Sequence, residues 1–498
     1  MGIHARSLVN SFHITFRTPA EIFGIISSHL TEDDLFSASQ VCRHWRSILT
    51  SSAYLWAWIS YNCGPRTIAS LERCGPLPIQ LRLEKPLPSE VLEKILLHGN
   101  KIASLNVNHD AYDITQLPRL FAFSRPSVER LILYTDYFRS RRPEYHAMRD
   151  VWQDFPLLRK LFVAVHSISV DRLTAPNLLH LVLEGTGCQQ NVTAQTILDM
   201  LRRFPLLETL LLNYEEEFRD YDNPVHGDSV RLPHLRRIEV GPWEVHSGLI
   251  THLDLPPDVV AGFQSMHPRD VKGRVPDVIL DSMRHVLRRV KIRSITLAAY
   301  RSKEFLIRFE GLRGSLEITV SGMFVTRTDL ADILGARGVV FSHSSHIEDV
   351  TEMHIVNCAF ETYQGLEHVK TAMPNVETIS FFRCMGAHPF ALLASENTSS
   401  SPFPRLERVM VLGCEPGLEE MVRNRRDLGV PLKTLVLGRN PGGFNYDCLE
   451  DDATLEGLVD NLQVRCPVEI VEWGVGNEIV DVWSAAGAPS VVSFKRAQ

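Results

Sequence analysis

The side chains able to do chemistry are few and scattered. The 498-residue chain has nine cysteines: Cys42, Cys63, Cys74, Cys188, Cys358, Cys384, Cys414, Cys448 and Cys466. Their number is odd and no two form CxxC, which argues against a disulfide framework and against zinc ligation at common spacings. His343 and His346 make an HxxH in a Ser-rich turn. A surface imidazole pair is the default reading there, ahead of a metal pair. Glu450, Asp451 and Asp452, like Glu215, Glu216 and Glu217, read as solvated acidic surface. Arg284, Arg288, Arg289, Lys291 and Arg293 form the strongest basic patch. It suits a phosphate or an acidic segment, although a solvated helix face is the simpler reading. No GxxxxGK[ST], HExxH, GxSxG or GxGxxG motif occurs. The expectation is a protein that is not itself an enzyme and needs neither metal nor cofactor.

Composition narrows the class. Hydrophobic residues make up 44% and charged residues 22%, as in an ordinary folded protein. Lys plus Arg number 52 against 59 Asp plus Glu, a net charge of -7, so nothing electrostatic calls for nucleic acid. No apolar run approaches the roughly 20 residues that span a bilayer. The opening MGIHARSLVN lacks an apolar signal core, and Arg6 stands where myristoylation needs Ser or Thr. No membrane role is expected. The expected setting is reducing, cytoplasmic and/or nuclear.

Residues 18–60 form the first readable unit, after an N-terminal extension at 1–17. Pro19 suits a helix start. Ile22, Ile25, Ile26 and Leu30 follow helical spacing. Thr31 with Asp34 three residues on signals the N-terminus of a second helix. Leu35, Ala38, Val41, Cys42 and Trp45 continue its apolar stripe, and a third short segment holds Tyr54, Leu55, Trp56 and Ile59. About 40 residues make a marginal core, so the unit packs on a neighbour or a partner.

The order of these residues resembles the F-box. That pattern runs Leu-Pro-x-Glu-Ile, an apolar helix, Asp-Leu, Val-Cys-x-x-Trp and Leu-Trp. Pro19, Glu21, Ile22, Asp34, Leu35, Val41, Cys42, Trp45, Leu55 and Trp56 stand in the matching places, with Thr18 in place of the opening Leu. The resemblance implies helix-on-helix docking to a Skp-type adaptor and, through it, a cullin–RING ubiquitin ligase. It marks Pro19, Ile22, Leu35, Val41 and Trp56 as adaptor contacts. Trp45 fits either a contact or the local core.

A second pattern fills the rest: Pro, one residue, apolar, two residues, apolar, one residue, apolar. It starts at Pro126, Pro156, Pro176, Pro205, Pro233, Pro374 and Pro404. Consecutive starts lie 20 to 30 residues apart within 126–233, and 30 apart from 374 to 404. A chain of this composition would show about one such match by chance. Copies without Pro include Ile102–Leu105–Val107, Ile292–Ile295–Leu297, Val350–Met353–Ile355 and Leu432–Leu435–Leu437. Several copies add Cys358, Cys384, Cys414 or Asn440 three residues past the last apolar slot. This resembles a degenerate leucine-rich repeat, in which such a Cys or Asn is a buried turn residue. Helical periodicity falls between strands at 193–204, 277–290, 363–373 and 454–464.

The expected fold is α/β: an N-terminal three-helix F-box, then a leucine-rich-repeat-like solenoid over 61–467 with parallel inner strands and outer helices. The solenoid is irregular near 243–277, and a terminal strand and tail follow at 468–498. Strand alternation turns Ile132, Phe162, Val182 and Leu211 away from the core as an apolar strip. That strip is the expected target-binding surface. The function implied is a substrate-recognition subunit of a Skp–cullin–F-box ubiquitin ligase, with an unidentified protein as target. The competing reading is a repeat scaffold whose N-terminal helices serve only as a cap.

Overall fold

A computed structural model describes residues 18–61, 64–85, 87–108, 117–124, 126–134, 155–164, 172–185, 194–214, 228–241, 249–265, 281, 285–300, 304–312, 314–321, 347–356, 373–382, 384, 390, 393, 402–412, 417–438, 459 and 461–465. They fall in two compact units, one within 1–237 and 252–255, the other within 238–251 and 256–498.

The first unit opens with α1 (Ala20–Ser27), α2 (Glu32–Val41), α3 (Arg43–Ser51) and a 3-10 turn at Ala53–Trp56. Thr31 and Asp34 close the capping box that the sequence signals: the Asp34 N–H donates to Thr31 Oγ1, and the Thr31 N–H to Asp34 Oδ2. One expectation fails in detail. The third helix is Arg43–Ser51, capped by Cys42 Sγ accepting from the Trp45 N–H at 3.5 Å. Ile59 lies not in a helix but in β1 (Trp58–Tyr61). The helical segment therefore runs straight into the sheet.

That sheet continues through β2 (Ile79–Leu83), β3 (Ile102–Asn108), β4 (Arg130–Tyr134), β5 (Lys160–Ala164), β6 (His180–Gly185) and β7 (Thr209–Tyr214). Each strand pairs in parallel with the next. Between them run α4 (Gly64–Arg73), α5 (Ser89–Leu97), α6 (Leu117–Ser124) and α7 (Ala194–Leu201). A small parallel pair, β8 (Val230–Arg231) with β10 (Leu253–Asp254), lies in the same unit.

The proline pattern has a physical explanation. β4, β5, β6, β7, β9 (Arg237–Gly241), β16 (Thr378–Phe382) and β17 (Arg408–Leu412) each begin four residues after their proline. In six copies the N–H two residues after the proline donates to the carbonyl of the residue before it, as in Leu158 to Phe155 and Leu207 to Phe204. This is a tight turn with proline at its second position, where the fixed φ is already correct. The flanking apolar residues, such as Phe155 with Leu158 and Phe204 with Leu207, are wholly buried. One carbonyl then accepts two N–H groups from the next copy. Glu129 O takes Arg159 and Lys160, and Glu407 O takes Lys433 and Thr434. The residue after the proline also contributes: Asn177 donates to Pro156 O at 2.7 Å, Asn375 to Glu348 O at 2.6 Å, and Ser127 to Gly99 O and Ile102 O.

The second unit departs from the expected all-parallel arrangement. Its strands are β9, β11 (Val260–Ser265), β12 (Ile292–Tyr300), β13 (Glu304–Gly311), β14 (Ser315–Ser321), β15 (Glu352–Val356), β16, β17, β18 (Thr434–Gly438) and β19 (Asn461–Arg465). β12 through β14 form an antiparallel meander, with β11 parallel to β14. β12 and β15 through β19 are parallel. Glycine makes the β13–β14 turn possible. A Cβ on Gly314 would lie 2.8 Å from the carbonyls of Pro257 and Val259, and one on Gly311 only 2.6 Å from Lys291 O. The stretch near 243–277, expected to be irregular, holds β11 at Val260–Ser265. The helix expected to run to Val464 gives way to β19. The 363–373 helix and the strand expected from Val468 fall outside the described residues, except for Met373.

α8 (Leu418–Asp427) is tied to the turn before β17 through Arg425, which is almost wholly buried. Its guanidinium donates to Pro402 O at 2.8 Å and Phe403 O at 3.1 Å. Burial pulls its pKa down to about 10. Phe403 sits at φ 49, left-handed backbone that costs a non-glycine about 1–2 kcal/mol.

Candidate docking surfaces

The helices present two kinds of apolar residue. On α1, Phe23 and Ser27 turn inward, and Phe23 meets Trp45 at a centroid distance of 4.9 Å. Ile22, Ile25 and Ile26 share the opposite side and are 48%, 58% and 55% exposed. Pro19, Leu30 and Val41 are exposed as well. An amphipathic helix normally buries its isoleucines, so α1 is unusual in carrying all three of its own on an uncovered face.

Leu35 and Trp56 behave otherwise and correct the sequence reading. Leu35 is 4% exposed and Trp56 1%. Trp56 Nε1 donates to Leu49 O at 2.8 Å, Phe36 packs edge-on at 5.0 Å, and the Arg73 guanidinium lies 4.5 Å from the indole. Both side chains hold the helices together and are closed to a partner in this conformation. The F-box pattern mixes core and surface apolars, and helical spacing alone does not separate them. Trp45 is half-buried.

Polar contacts tie the helices to the sheet. Glu32 accepts the Ser60 N–H at 2.8 Å and the Ser70 hydroxyl at 2.9 Å, and Asp33 pairs with Arg66. Burial raises the Glu32 carboxyl above its ordinary pKa in spite of these donors.

The second surface is the face of the first unit's sheet. Register sets Ile132 beside Phe162, Phe162 beside Val182 and Val182 beside Leu211. All four are half-buried, between the fully buried pairs Leu131/Leu133, Leu161/Val163, Leu181/Leu183 and Leu210/Leu212. The expected strip is therefore brought together in one row. At the strands' N-terminal ends a second row carries Arg130, Lys160, His180 and Thr209. His180 Nδ1 lies 3.1 Å from Thr209 Oγ1. Burial and the nearby Lys160 charge hold its imidazole below the usual value.

The remaining chemistry-bearing residues add little. Cys42, Cys74 and Cys384 are free thiols. Cys384 is buried and its thiol donates to Ile355 O of the neighbouring strand at 3.4 Å, a structural role. Cys358, Cys414, Asn440, His343 and His346 lie outside the described residues, as does Arg284. Arg288 and Lys291 of the basic patch are exposed, and Arg293 pairs with Glu352 at 3.0 Å. Among the described residues no three His, Cys, Asp or Glu side chains group as metal ligands, and no helix is long and apolar enough to cross a membrane.

Comparison with known proteins agrees with the helical segment. Residues 19–62 match the F-box-like family. No curated protein matches. Among solved structures, the yeast Rad7–Elc1 complex resembles this chain at 10% identity and a TM-score of 0.33, over 77% of this chain and 94% of the matched one.

Proposed function

We propose that this chain is a substrate-recognition subunit of a Skp–cullin–F-box ubiquitin ligase, working in the cytosol or nucleus. The F-box-like segment docks a Skp-type adaptor, and the sheet face holds the target. The observation that carries the reading is the uncovered Ile22–Ile25–Ile26 face inside the F-box-like match at 19–62. Three neighbouring isoleucines in water suit helix-on-helix recognition. Ubiquitin transfer would belong to other subunits. This chain raises the effective concentration of a target lysine beside the conjugating enzyme. We read the proline-marked strand ladder as a degenerate leucine-rich repeat, supported by the recurring turn and shared carbonyls.

The observed contacts also favour a second reading. The Glu32, Asp33 and Trp56 contacts fasten the helices to β1 and α4, as expected of a cap on an exposed repeat edge. Co-purification with a Skp-type adaptor separates the two. Ile22→Asp with Ile26→Asp should abolish a stoichiometric complex while thermal unfolding stays unchanged. No adaptor bound by the folded wild type, or binding indifferent to this pair, rejects the ligase reading and leaves the cap.

A further inference from the structure

We propose that the β4–β7 face takes an extended acidic peptide with apolar side chains, its carboxylates lying along the N-terminal ends of the strands. The proposal deepens the reading of that face as the target platform and rests on it. Three observations lead there.

The first is the apolar row. Ile132, Phe162, Val182 and Leu211 span three strand spacings, about 14 Å. That is the reach of four or five extended residues, at about 3.4 Å each. The second is the charge beside it. Arg130 and Lys160 are exposed and stand directly opposite each other on adjacent parallel strands. Like charges in that arrangement repel. Among the described residues neither has a carboxylate partner: both are absent from every ion pair, although Glu129 adjoins Arg130 in sequence. Elsewhere in this unit cations are answered, as Arg82 of β2 is by Glu84 at 2.5 Å and Arg119 of α6 by Glu93 of α5 at 2.6 Å. An incoming carboxylate would relieve the repulsion that the fold leaves in place.

The third observation sets polarity and chemistry. The row at the strands' other ends carries Tyr134, Ala164 and Glu184 in register. The face therefore runs from cationic to acidic along the strand direction, with the apolar row between. An acidic segment is drawn to the Arg130–Lys160 end and repelled from Glu184. The cations are two separate exposed side chains, with Glu208 close enough to act electrostatically on the neighbouring His180. A dianionic phosphate is better served by a buried, bidentate arginine cluster. Aspartate or glutamate is the better match.

The test is display selection of a random short-peptide library on the full-length chain. The selected peptides should combine Asp or Glu with Leu, Ile or Phe. Their affinity should fall about tenfold or more on Phe162→Asp. Arg130→Glu with Lys160→Glu should shift the selection from acidic to basic peptides. Arg130 and Lys160 are exposed and Phe162 is only half-buried, so the variants should fold, and matched thermal unfolding checks this. No enriched peptide, peptides without acidic bias, or binding indifferent to both variants overturns the proposal. Tighter binding of the best peptide with phosphoserine at its acidic positions overturns the choice of carboxylate. Adaptor co-purification on the same variants separates the two readings. Adaptor binding with peptide binding lost locates the failure in this face. Peptide binding without adaptor leaves this proposal standing and removes the ligase.

Discussion

Within residues 126–214 the middle position of each strand carries Ile132, Phe162, Val182 or Leu211, and all four are half-buried. Within residues 292–438 the register row Thr296, His354, Ser380, Met410 and Val436 occupies the equivalent position, and all but His354 are buried. The strand ladder is alike in both. The fate of the face is not. The first unit's row is wholly apolar and half-buried, while the second's mixes polar and apolar side chains and is largely enclosed. Beside that enclosed row Arg308 pairs with Glu310 at 2.8 Å, and the Ser294 hydroxyl donates to Glu310 at 3.3 Å. One sheet face thus leaves its middle row partly open, and the other encloses it beside its own polar pairs.

The largest expected effect comes from placing a charge on each face. Met410→Asp buries a carboxylate against Ser380, whose hydroxyl now donates to the Met410 sulfur at 3.6 Å. The cost should be about 3 kcal/mol or more in urea unfolding. Phe162→Asp on the open face should cost about 1 kcal/mol or less. Equal losses would mean that the two faces are equally enclosed, and the contrast would fall.

A second pair probes the turns. Arg425 and Asn177 both supply a donor to a proline-turn carbonyl, one buried and charged, the other exposed and neutral. Arg425→Met removes the guanidinium donor from the Pro402 carbonyl and one of two donors from Phe403 O, which keeps the Leu406 N–H, and should cost about 2–3 kcal/mol. Asn177→Ala should cost under about 1 kcal/mol, since water replaces the amide. Chemical unfolding of the two variants checks the ratio.

The parts of this architecture legible in sequence are those fixed by local chemistry. Proline at a turn's second position locates seven strands to the residue, because φ is set before any tertiary contact forms. The Thr31–Asp34 box marks a helix start for the same reason. The meander at 292–321 carries no such mark. Its glycines, Gly311 and Gly314, matter through close approach to Lys291 and Pro257, a distant relation that spacing does not encode. The same holds for the F-box-like helices. Ile22 and Leu35 both fit helical periodicity, yet one faces water and the other the core, and only tertiary packing decides which. Alternation placed Ile132, Phe162, Val182 and Leu211 off the core. It said nothing of the unanswered pair Arg130 and Lys160, whose meeting depends on the strand register.

The smallest effect sharpens the comparison through one histidine on each face. His180 stands among Lys160, Glu208 and Thr209; His354 lies 3.9 Å from Glu352, with Glu310 also acting on it. Burial holds both imidazoles below their ordinary pKa. The unfolded chain therefore takes up protons first as pH falls from about 6.5. Each histidine's contribution to stability is complete above that pH and is lost as pH falls through its folded value. His180→Gln and His354→Gln should each flatten the acid limb of a stability–pH curve. A bound acidic peptide should separate them. Carboxylates beside His180 favour its imidazolium and shrink its acid loss, whereas the enclosed row around His354 admits no such ligand. In stability–pH curves with and without saturating peptide, every protein that binds should gain stability overall, but peptide should shrink the acid loss that begins near pH 6.5 only where His180 is present. A peptide-dependent shrinking of that acid loss that survives His180→Gln would place the carboxylates away from His180 and erase the distinction between the two faces.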